Sequence, residues 1–308
     1  MSRAVYTEIE CKSALNRVTG MPFHWSINPY RGCVHACHYC YARSTHSFFG
    51  LNAGSDFETR IFVKKNLPVV LRRELAKPTW GGERVSIGTA TDPYQPGEGR
   101  YRLTRGVIEA MRNFRNPLSI VTKSTLVLRD GDLLAELAHY ADVTVQFTVT
   151  TLDPVVWKAV EPGTPPPWQR FAVMRRLVDS GVRCGLFVAP ILPGITDSVE
   201  MLESVINGAK EHGASHVWAS PLRLSPMVKE HYFGFVDEHY PQLAARYDKA
   251  YPDASAPKAY QEGIERRVDS ILARYGFAET RQRVLRKTDP DPSQRTYRNP
   301  VQQLTLTL

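Results

Sequence analysis

Three cysteines near the start of the chain are the residues best suited to chemistry. Cys33, Cys37 and Cys40 have the spacing C-x3-C-x2-C and account for three of the chain's five cysteines. Thiolates spaced this closely can each bind one iron of a four-iron, four-sulfur cluster, and three of them leave the fourth iron without a protein ligand. The spacing therefore predicts a [4Fe-4S] cluster with one iron open to another molecule, which we interpret as a reactant.

Two other uses of this loop have to be weighed. Structural zinc usually takes four Cys or His ligands, and His35 or His38 is available as a fourth. No second Cys or His pair with zinc-type spacing follows elsewhere in the chain. A disulfide would leave one of the three thiols unpaired, and we see no secretory signal. The pattern favours iron–sulfur ligation, with zinc as the alternative.

The sequence around the cysteines resembles that of a known superfamily. Tyr39 stands directly before the last cysteine, which is similar to the radical S-adenosylmethionine (radical SAM) superfamily. Residues 28–43, NPYRGCVHACHYCYAR, more closely resemble its spore photoproduct lyase-like branch. The resemblance implies that SAM chelates the open iron and that a low-potential electron donor reduces the cluster. It also implies reductive cleavage of SAM to a 5′-deoxyadenosyl radical, which abstracts hydrogen from a substrate.

Short apolar runs alternate along the chain with helix-like segments, a pattern typical of a parallel sheet. Six strand–helix units can be counted, and the resemblance favours a partial (β/α)6 TIM-type barrel in this α/β chain over an open, doubly wound sheet. We predict an N-terminal segment (1–22), the radical SAM barrel (23–225) and a C-terminal helical extension with a basic tail (226–308), in which residues 227–251 form a helix. The predicted strands cover residues 24–28, 85–91, 118–122, 143–150, 183–189 and 216–222.

Active residues of such a fold belong at the carboxyl ends of the strands. The loop after the second strand contains Thr89, Thr91 and Asp92, which are acceptors suited to the ammonium group of SAM. A simple β-turn is the alternative for this Pro- and Gly-rich stretch. Gly81-Gly82-Glu83 resembles the family's Gly-Gly-Glu signature, but it precedes the strand, so we interpret it as a turn.

Further cofactor-binding candidates follow the later strands. Lys123 and Ser124 leave the third strand, and the resemblance implies a lysine there for the SAM carboxylate. It also implies that Thr148 of the fourth strand contacts the ribose or methionine part of SAM. Arg170, after a Pro-rich loop, is able to pair with a carboxylate. Tyr39 completes the predicted cofactor-binding set, and a solvated surface position is the alternative for the lysine and the arginine.

Composition limits the partners. A chain of 308 residues with 43% hydrophobic content can bury one large core. No apolar run approaches the roughly 20 residues that span a bilayer, so we expect no membrane segment. Few, clustered cysteines indicate a cytoplasmic location. The net charge of +8 makes a nucleic acid one candidate substrate, beside an acidic small molecule, a peptide or a partner protein. Basic residues cluster in two places: Arg100, Arg102, Arg105, Arg112 and Arg115, and in the tail Arg281, Arg283, Arg286, Lys287, Arg295 and Arg298.

The chain departs from the photoproduct lyases at one position that matters for the reaction. Those enzymes carry a cysteine in the loop after the second strand, whereas residues 89–92 read TATD. The remaining thiols are Cys11 and Cys184, neither of them in that loop. We therefore do not expect lyase activity on thymine dimers. The sequence predicts a radical SAM enzyme on an unidentified substrate. The alternative is a non-catalytic iron–sulfur or zinc protein that binds nucleic acid or a protein partner.

Overall fold

The computed structural model describes residues 4–277, and the strands within that range form two sheets. In chain order the strands are β1 (Val5–Ile9), β2 (Asn16–Arg17), β3 (Trp25–Ile27), β4 (Tyr30–Arg31), β5 (Arg60–Lys64), β6 (Val85–Ile87), β7 (Leu118–Thr122), β8 (Val143–Thr148), β9 (Arg183–Ile191) and β10 (Val217–Pro221).

The helices alternate with the strands of the larger sheet. They are α1 (Ser55–Thr59), α2 (Leu67–Leu75), α3 (Glu98–Tyr101), α4 (Leu103–Asn113), α5 (Gly131–Ala138), α6 (Pro154–Val160), α7 (Pro167–Asp179), α8 (Val199–Glu211), α9 (Pro226–His239), α10 (Ala244–Ala250) and α11 (Lys258–Arg274). Short 3₁₀ helices cover Tyr41–Phe49, Thr125–Asp130 and Pro241–Leu243.

Six parallel strands form the main sheet, in the order β10-β9-β8-β7-β6-β3, and β2 adds an antiparallel edge next to β3. This confirms the predicted fold, a partial barrel of six strand–helix units. A smaller sheet in the order β1-β5-β4 was not predicted. Its strand β4 ends two residues before the first cysteine of the C-x3-C-x2-C loop, so the small sheet anchors the loop.

The two faces of the main sheet differ in polarity because successive side chains of a strand point to opposite faces. One face is apolar and packs under the helices; α4, for example, buries Val107, Ile108 and Met111 there. The other, inner face is polar, since Ser26, Ser86, Ser119 and Thr144 lie side by side in register across β3, β6, β7 and β8. A polar interior is what a barrel that receives polar ligands requires.

The C-terminal extension differs from the prediction in one respect. We predicted a single helix over residues 227–251, and this is wrong: α9 ends at His239 and α10 begins at Ala244. Pro241 explains the break, because proline has no amide hydrogen to continue the helix. Helix α11 packs Ile264, Val268, Ile271 and Leu272 against the barrel core. None of the helices in residues 4–277 combines the length and apolar character needed to cross a bilayer.

Candidate metal and cofactor site

The cysteine loop holds three reduced thiols in a small volume. Cys33 and Cys37 are buried and Cys40 is half-buried, and all three are free of disulfides. Two successive turns shape the loop, with Ala36 N donating to Cys33 O and Cys40 N donating to Cys37 O, each at 3.3 Å. The pKa of Cys33 is raised by burial and also by the charges of Asp92, Cys37 and Cys40, so the three sulfurs lie within electrostatic range of one another.

The surroundings of the loop suit a metal cluster. Burial raises the pKa of Cys37 to about 12, an increase that the Lys123 ammonium partly offsets. Such thiols ionise only when a metal replaces the proton. Three thiols in a C-x3-C-x2-C loop can each bind one iron at a corner of a four-iron, four-sulfur cluster, so the donor set fits such a cluster.

The loop backbone is held by its neighbours. Gly32 has φ +79°, and a Cβ there would lie 2.8 Å from Phe57 O, so only glycine fits. Gly163 N donates to His35 O at 3.1 Å, and a Cβ on Gly163 would lie 2.2 Å from a loop carbonyl. The fully buried Arg43 donates to Cys37 O and Ala36 O, both at 2.9 Å. The loop is therefore pre-shaped by protein contacts.

The loop after β6 ties the barrel to the cysteine loop. The carboxylate of Asp92 accepts hydrogen bonds from Thr122 Oγ1 at 2.8 Å, Tyr94 N at 2.9 Å and Lys123 N at 2.7 Å. It also lies 3.3 Å from Nδ1 of buried His35. Burial opposes its ionisation, but the pair with His35 and these hydrogen bonds hold the pKa of Asp92 below its ordinary value. Protein donors thus already occupy both oxygens of Asp92.

The neighbouring threonines have partners as well. Thr91 Oγ1 donates to Gly32 O at 2.7 Å, which links the loop after β6 to the cysteine loop. Thr89 Oγ1 accepts a hydrogen bond from Asn28 Nδ2 at 3.1 Å, and its carbonyl accepts one from the Tyr41 hydroxyl. The arrangement brings Thr89, Thr91 and Asp92 next to the cysteine loop. Whether any of them contacts SAM stays a prediction.

Glu161 is a buried carboxylate that the sequence analysis did not single out. It connects Tyr39 of the cysteine loop with residues of the barrel. Its oxygens accept from Arg170 Nη2 at 2.6 Å, from Thr150 Oγ1 at 2.9 Å and from the hydroxyl of Tyr39. Although burial opposes ionisation, Arg170 and Lys123 lower the pKa of Glu161 to about 2. Arg170 also donates to Thr148 O at 2.8 Å and is fully buried. Arg170 therefore orients β8 and Glu161 from within the protein.

The ammonium of Lys123, one of the predicted cofactor-binding groups, has no hydrogen-bond partner among the described residues. It lies 5.5 Å from the ring centre of Tyr39. Burial alone would lower the pKa of Lys123, but the charges of Cys37 and Glu161 raise it, so the side chain is a cation beside the cysteine loop. A cation held in this way is available to a carboxylate.

The hydroxyl groups of the last two predicted residues, Thr148 and Ser124, differ in whether they already have a hydrogen-bond partner. The hydroxyl of Thr148 has no hydrogen-bond partner in the described part of the chain, and the side chain is 5% exposed. Ser124 Oγ instead accepts from Leu126 N at 3.2 Å and caps a 3₁₀ helix. The Gly81–Glu83 stretch lies outside the site, since Glu83 bonds to His24 and Trp25 at the start of β3.

Comparisons with known proteins agree with this geometry. The family model described as "Radical SAM superfamily" matches residues 27–205. The chain is 40% identical over 277 residues to the uncharacterized protein Rv2578c of Mycobacterium tuberculosis, covering 89% of this chain and 82% of that protein. It is 26% identical over 277 residues to the uncharacterized protein MJ0683 of Methanocaldococcus jannaschii, covering 88% and 94%. A solved spore photoproduct lyase complexed with dinucleoside spore photoproduct shares the fold, with a TM-score of 0.63, 17% identity and coverage of 89% and 80%.

Proposed function

The chain belongs to the radical SAM superfamily, and we propose that Cys33, Cys37 and Cys40 hold a [4Fe-4S] cluster beside a bound SAM. When bound, the two cofactors supply a 5′-deoxyadenosyl radical that abstracts hydrogen from a substrate. The observation that carries the proposal is the Lys123 ammonium. It lies close enough to Cys37 and Cys40 for their charges to raise its pKa, and it has no hydrogen-bond partner in residues 4–277.

The chain's own residues divide into those that contact SAM and those that position the contacts. Lys123 binds the SAM carboxylate, and the hydroxyl of Thr148 forms a hydrogen bond with the ribose or methionine part of SAM. Asp92 and Arg170 act through other residues, because protein partners already satisfy them. The buried Glu161–Arg170 pair keeps this side of the site rigid without exposing a charge to SAM.

In the proposed reaction, the hydrogen atom returned to the product radical does not come from a cysteine in the loop after β6. Residues 89–92 in the loop after β6 read TATD, whereas the resemblance to the photoproduct lyases implies a cysteine in that loop. Cys184 is fully buried in the barrel core, and the thiol of Cys11 donates to Asn66 Oδ1 at 3.3 Å. Neither thiol belongs to the site, so we propose a reaction other than thymine-dimer cleavage with a cysteine hydrogen donor. A nucleic acid stays a candidate substrate because of the net charge of +8.

Anaerobic reconstitution with iron and sulfide, followed by reduction and addition of SAM, tests the proposal. We expect 5′-deoxyadenosine from the wild type and none from Cys37→Ala. Cys11→Ser is the matched control and retains activity, because it removes a thiol outside the site. A protein that binds zinc and no cluster, or a four-iron cluster whose EPR signal does not respond to SAM, would instead point to the non-catalytic alternative.

A further inference from the structure

The inner face of β8, β9 and β10 carries side chains at two successive levels. Strand pairing places Gln146 opposite Gly185 and Thr148 opposite Phe187, and it places Phe187 opposite Trp218. His216 precedes Val217 at the start of β10 and contacts Gln146. Since Leu186 and Val217 belong to the apolar core, Phe187 and Trp218 lie on the opposite, inner face. The deeper level holds Gln146, Gly185 and His216, and the level nearer the strands' carboxyl ends holds Thr148, Phe187 and Trp218.

A chain of hydrogen bonds fixes the orientation of the Gln146 amide. Ser215 Oγ donates to Cys184 O at 2.8 Å, so toward His216 Nδ1, also at 2.8 Å, it can only accept. His216 therefore carries its proton on Nδ1. Burial and the charge of Arg183 lower the pKa of His216 to about 4, so the ring is neutral at pH 7. Its Nε2 then accepts from Gln146 Nε2 at 2.7 Å.

This series of hydrogen bonds ends at an acceptor, Gln146 Oε1, that receives no hydrogen bond from the described residues. The side chain of Gln146 is 8% exposed, and its Oε1 is buried with no hydrogen-bond partner in the described residues. A buried acceptor left unpaired loses its hydrogen bonds to water without replacement, so native proteins rarely leave one. Gly185 provides the room: a Cβ there would lie 2.3 Å from Gln146 Oε1 and 2.4 Å from the His216 ring. The acceptor can occupy this position because residue 185 on β9 is a glycine and has no side chain.

Two aromatic side chains lie one level nearer the carboxyl ends of the strands than this acceptor. The rings of Phe187 and Trp218 meet edge to face with centroids 5.4 Å apart, and Trp218 is 42% exposed although it lies on a sheet. An exposed aromatic surface is a stacking platform for a planar ring. The charge of Arg183 reaches His216 on this face, but its guanidinium is bonded to Asp142 and Thr144. The surface therefore offers stacking and a neutral acceptor.

We propose that this face binds a neutral planar ring of the substrate, which stacks on Trp218 beside Phe187 and donates an N–H to Gln146 Oε1. The assignment to the substrate rests on the proposed function, in which Thr148 contacts SAM. Gln146 lies two residues deeper in the barrel, about 7 Å from Thr148 along the strand. A flat nitrogen heterocycle with a lactam N–H, as in uracil or hypoxanthine, has the required shape and donor.

Tryptophan fluorescence of the full chain tests this without SAM or cluster turnover. The probes are uridine and inosine, each paired with the analogue methylated on its ring N–H, 3-methyluridine and 1-methylinosine. We expect at least one parent nucleoside to quench Trp218, and its methylated partner to bind about tenfold more weakly because the hydrogen bond is lost. Trp218→Phe identifies the signal and should abolish the quenching.

Variants locate the acceptor. In Gln146→Met the parent and methylated nucleosides should bind alike, whereas Gln169→Met, the same change on an exposed helical position, keeps the discrimination. Gly185→Ala should act like Gln146→Met, since the new Cβ meets only the ends of two side chains. Thermal midpoints by circular dichroism verify that each variant is folded.

Three results would overturn the proposal: no quenching by either nucleoside, equal binding of the methylated probes to the wild type, or discrimination that survives in Gln146→Met. Competition by 5′-deoxyadenosine at the same affinity would assign the site to the adenine of SAM and reject the substrate assignment. The 5′-deoxyadenosine production assay on the wild type is separate. Its failure would remove the proposed radical chemistry while leaving ring binding as measured.

Discussion

At the scale of single residues, Lys123 gives the sharpest prediction for SAM binding. Lys123→Met should raise the dissociation constant for SAM about 10- to 100-fold, because a charge-assisted hydrogen bond to the SAM carboxylate is lost. The EPR signal of the reduced cluster without SAM should not change. Isothermal titration of the reconstituted protein measures the affinity.

The chain offers a matched control for that experiment. The Lys158 ammonium also lies over an aromatic ring, 5.7 Å from the centre of Trp157, and it bonds to Pro162 O outside the site. Lys158→Met should bind SAM as the wild type does. An unchanged SAM affinity in Lys123→Met would mean that the carboxylate binds elsewhere, even if the cluster forms.

Glu161 gives a prediction about stability. Glu161→Gln leaves the fully buried Arg170 without its charge partner, which should lower the free energy of unfolding by about 3–5 kcal/mol at pH 7. The double variant Glu161→Gln/Arg170→Met should lose less than the sum of the two single changes, because it leaves no unpaired charge. Urea unfolding measures each value, and additive losses would show that the pair does not couple.

The same carboxyl predicts a pH dependence. The pKa of Glu161 is lowered to about 2 from an ordinary value of 4.5. A depressed pKa means that its contribution to stability is complete above the ordinary value and is lost as the pH falls toward 2. The difference in urea midpoint between the wild type and Glu161→Gln should therefore shrink on acidification from pH 6 to pH 3. A difference that stays constant over that range would contradict the assigned ionisation.

The sequence predicted which residues gather at the site better than it predicted their partners. Three cysteines within eight positions form a local pattern that favours iron–sulfur ligation, so their spacing was enough to predict them as ligands. Arg170 and Asp92 were predicted to face SAM, yet they bond to Thr148 O and to Lys123 N, partners 22 and 31 positions away. Glu161 was missed because it stands in a Pro-rich loop, and nothing local indicates that Tyr39, 122 positions away, donates to it.

At the scale of structural elements, the loop after β6 acts as a brace for the cysteine loop. Asp92→Asn keeps the size of the side chain but removes the charge that faces His35 and the Lys123 amide. We expect the variant to hold less iron per chain, while the dissociation constant for SAM, measured per reconstituted cluster, stays within about twofold of the wild type. Iron analysis and titration on the same samples separate the two quantities. Normal iron content with weakened SAM binding would show instead that Asp92 contacts SAM directly.

The elements that the sequence predicted well are those with local signals. β7 was predicted at its observed bounds, since Leu118–Thr122 is a short apolar run between a helix and a turn. The small sheet was missed because β1 pairs with β5, 55 positions away, and β4 has only two residues. Pairing at such distance depends on the tertiary fold, which no local pattern of five residues reveals. Yet this sheet anchors the cysteine loop, so the missed element matters for the site.

At the scale of the whole molecule, the chain has a net charge of +8, and only some of its basic residues are paired with acidic ones. In the basic cluster around α4, Arg105 pairs with Asp130 and Asp132, and Arg112 pairs with Glu136. Those two arginines are paired with acidic neighbours, whereas Arg100, Arg102 and Arg115 of the same cluster are exposed and have no ion pair among the described residues. The second basic cluster, six residues between 281 and 298, lies outside the described residues and is known only from the sequence. If nucleic acid binds this protein, the tail and these three arginines are the candidates for the phosphate contacts.

Salt dependence of oligonucleotide binding tests that distribution. For a single-stranded DNA oligonucleotide, replacing all six tail residues with Gln should weaken binding and reduce the slope of log K against log salt by about 4, because each lost phosphate contact contributes roughly 0.7. Arg112→Gln should leave the slope unchanged, since its guanidinium already pairs with Glu136 at 3.1 Å. A slope that falls in Arg112→Gln but not in the tail variant would move the contact surface to the barrel. No binding by the wild type at low salt would remove nucleic acids from the candidate substrates, and the search would turn to small molecules and peptides.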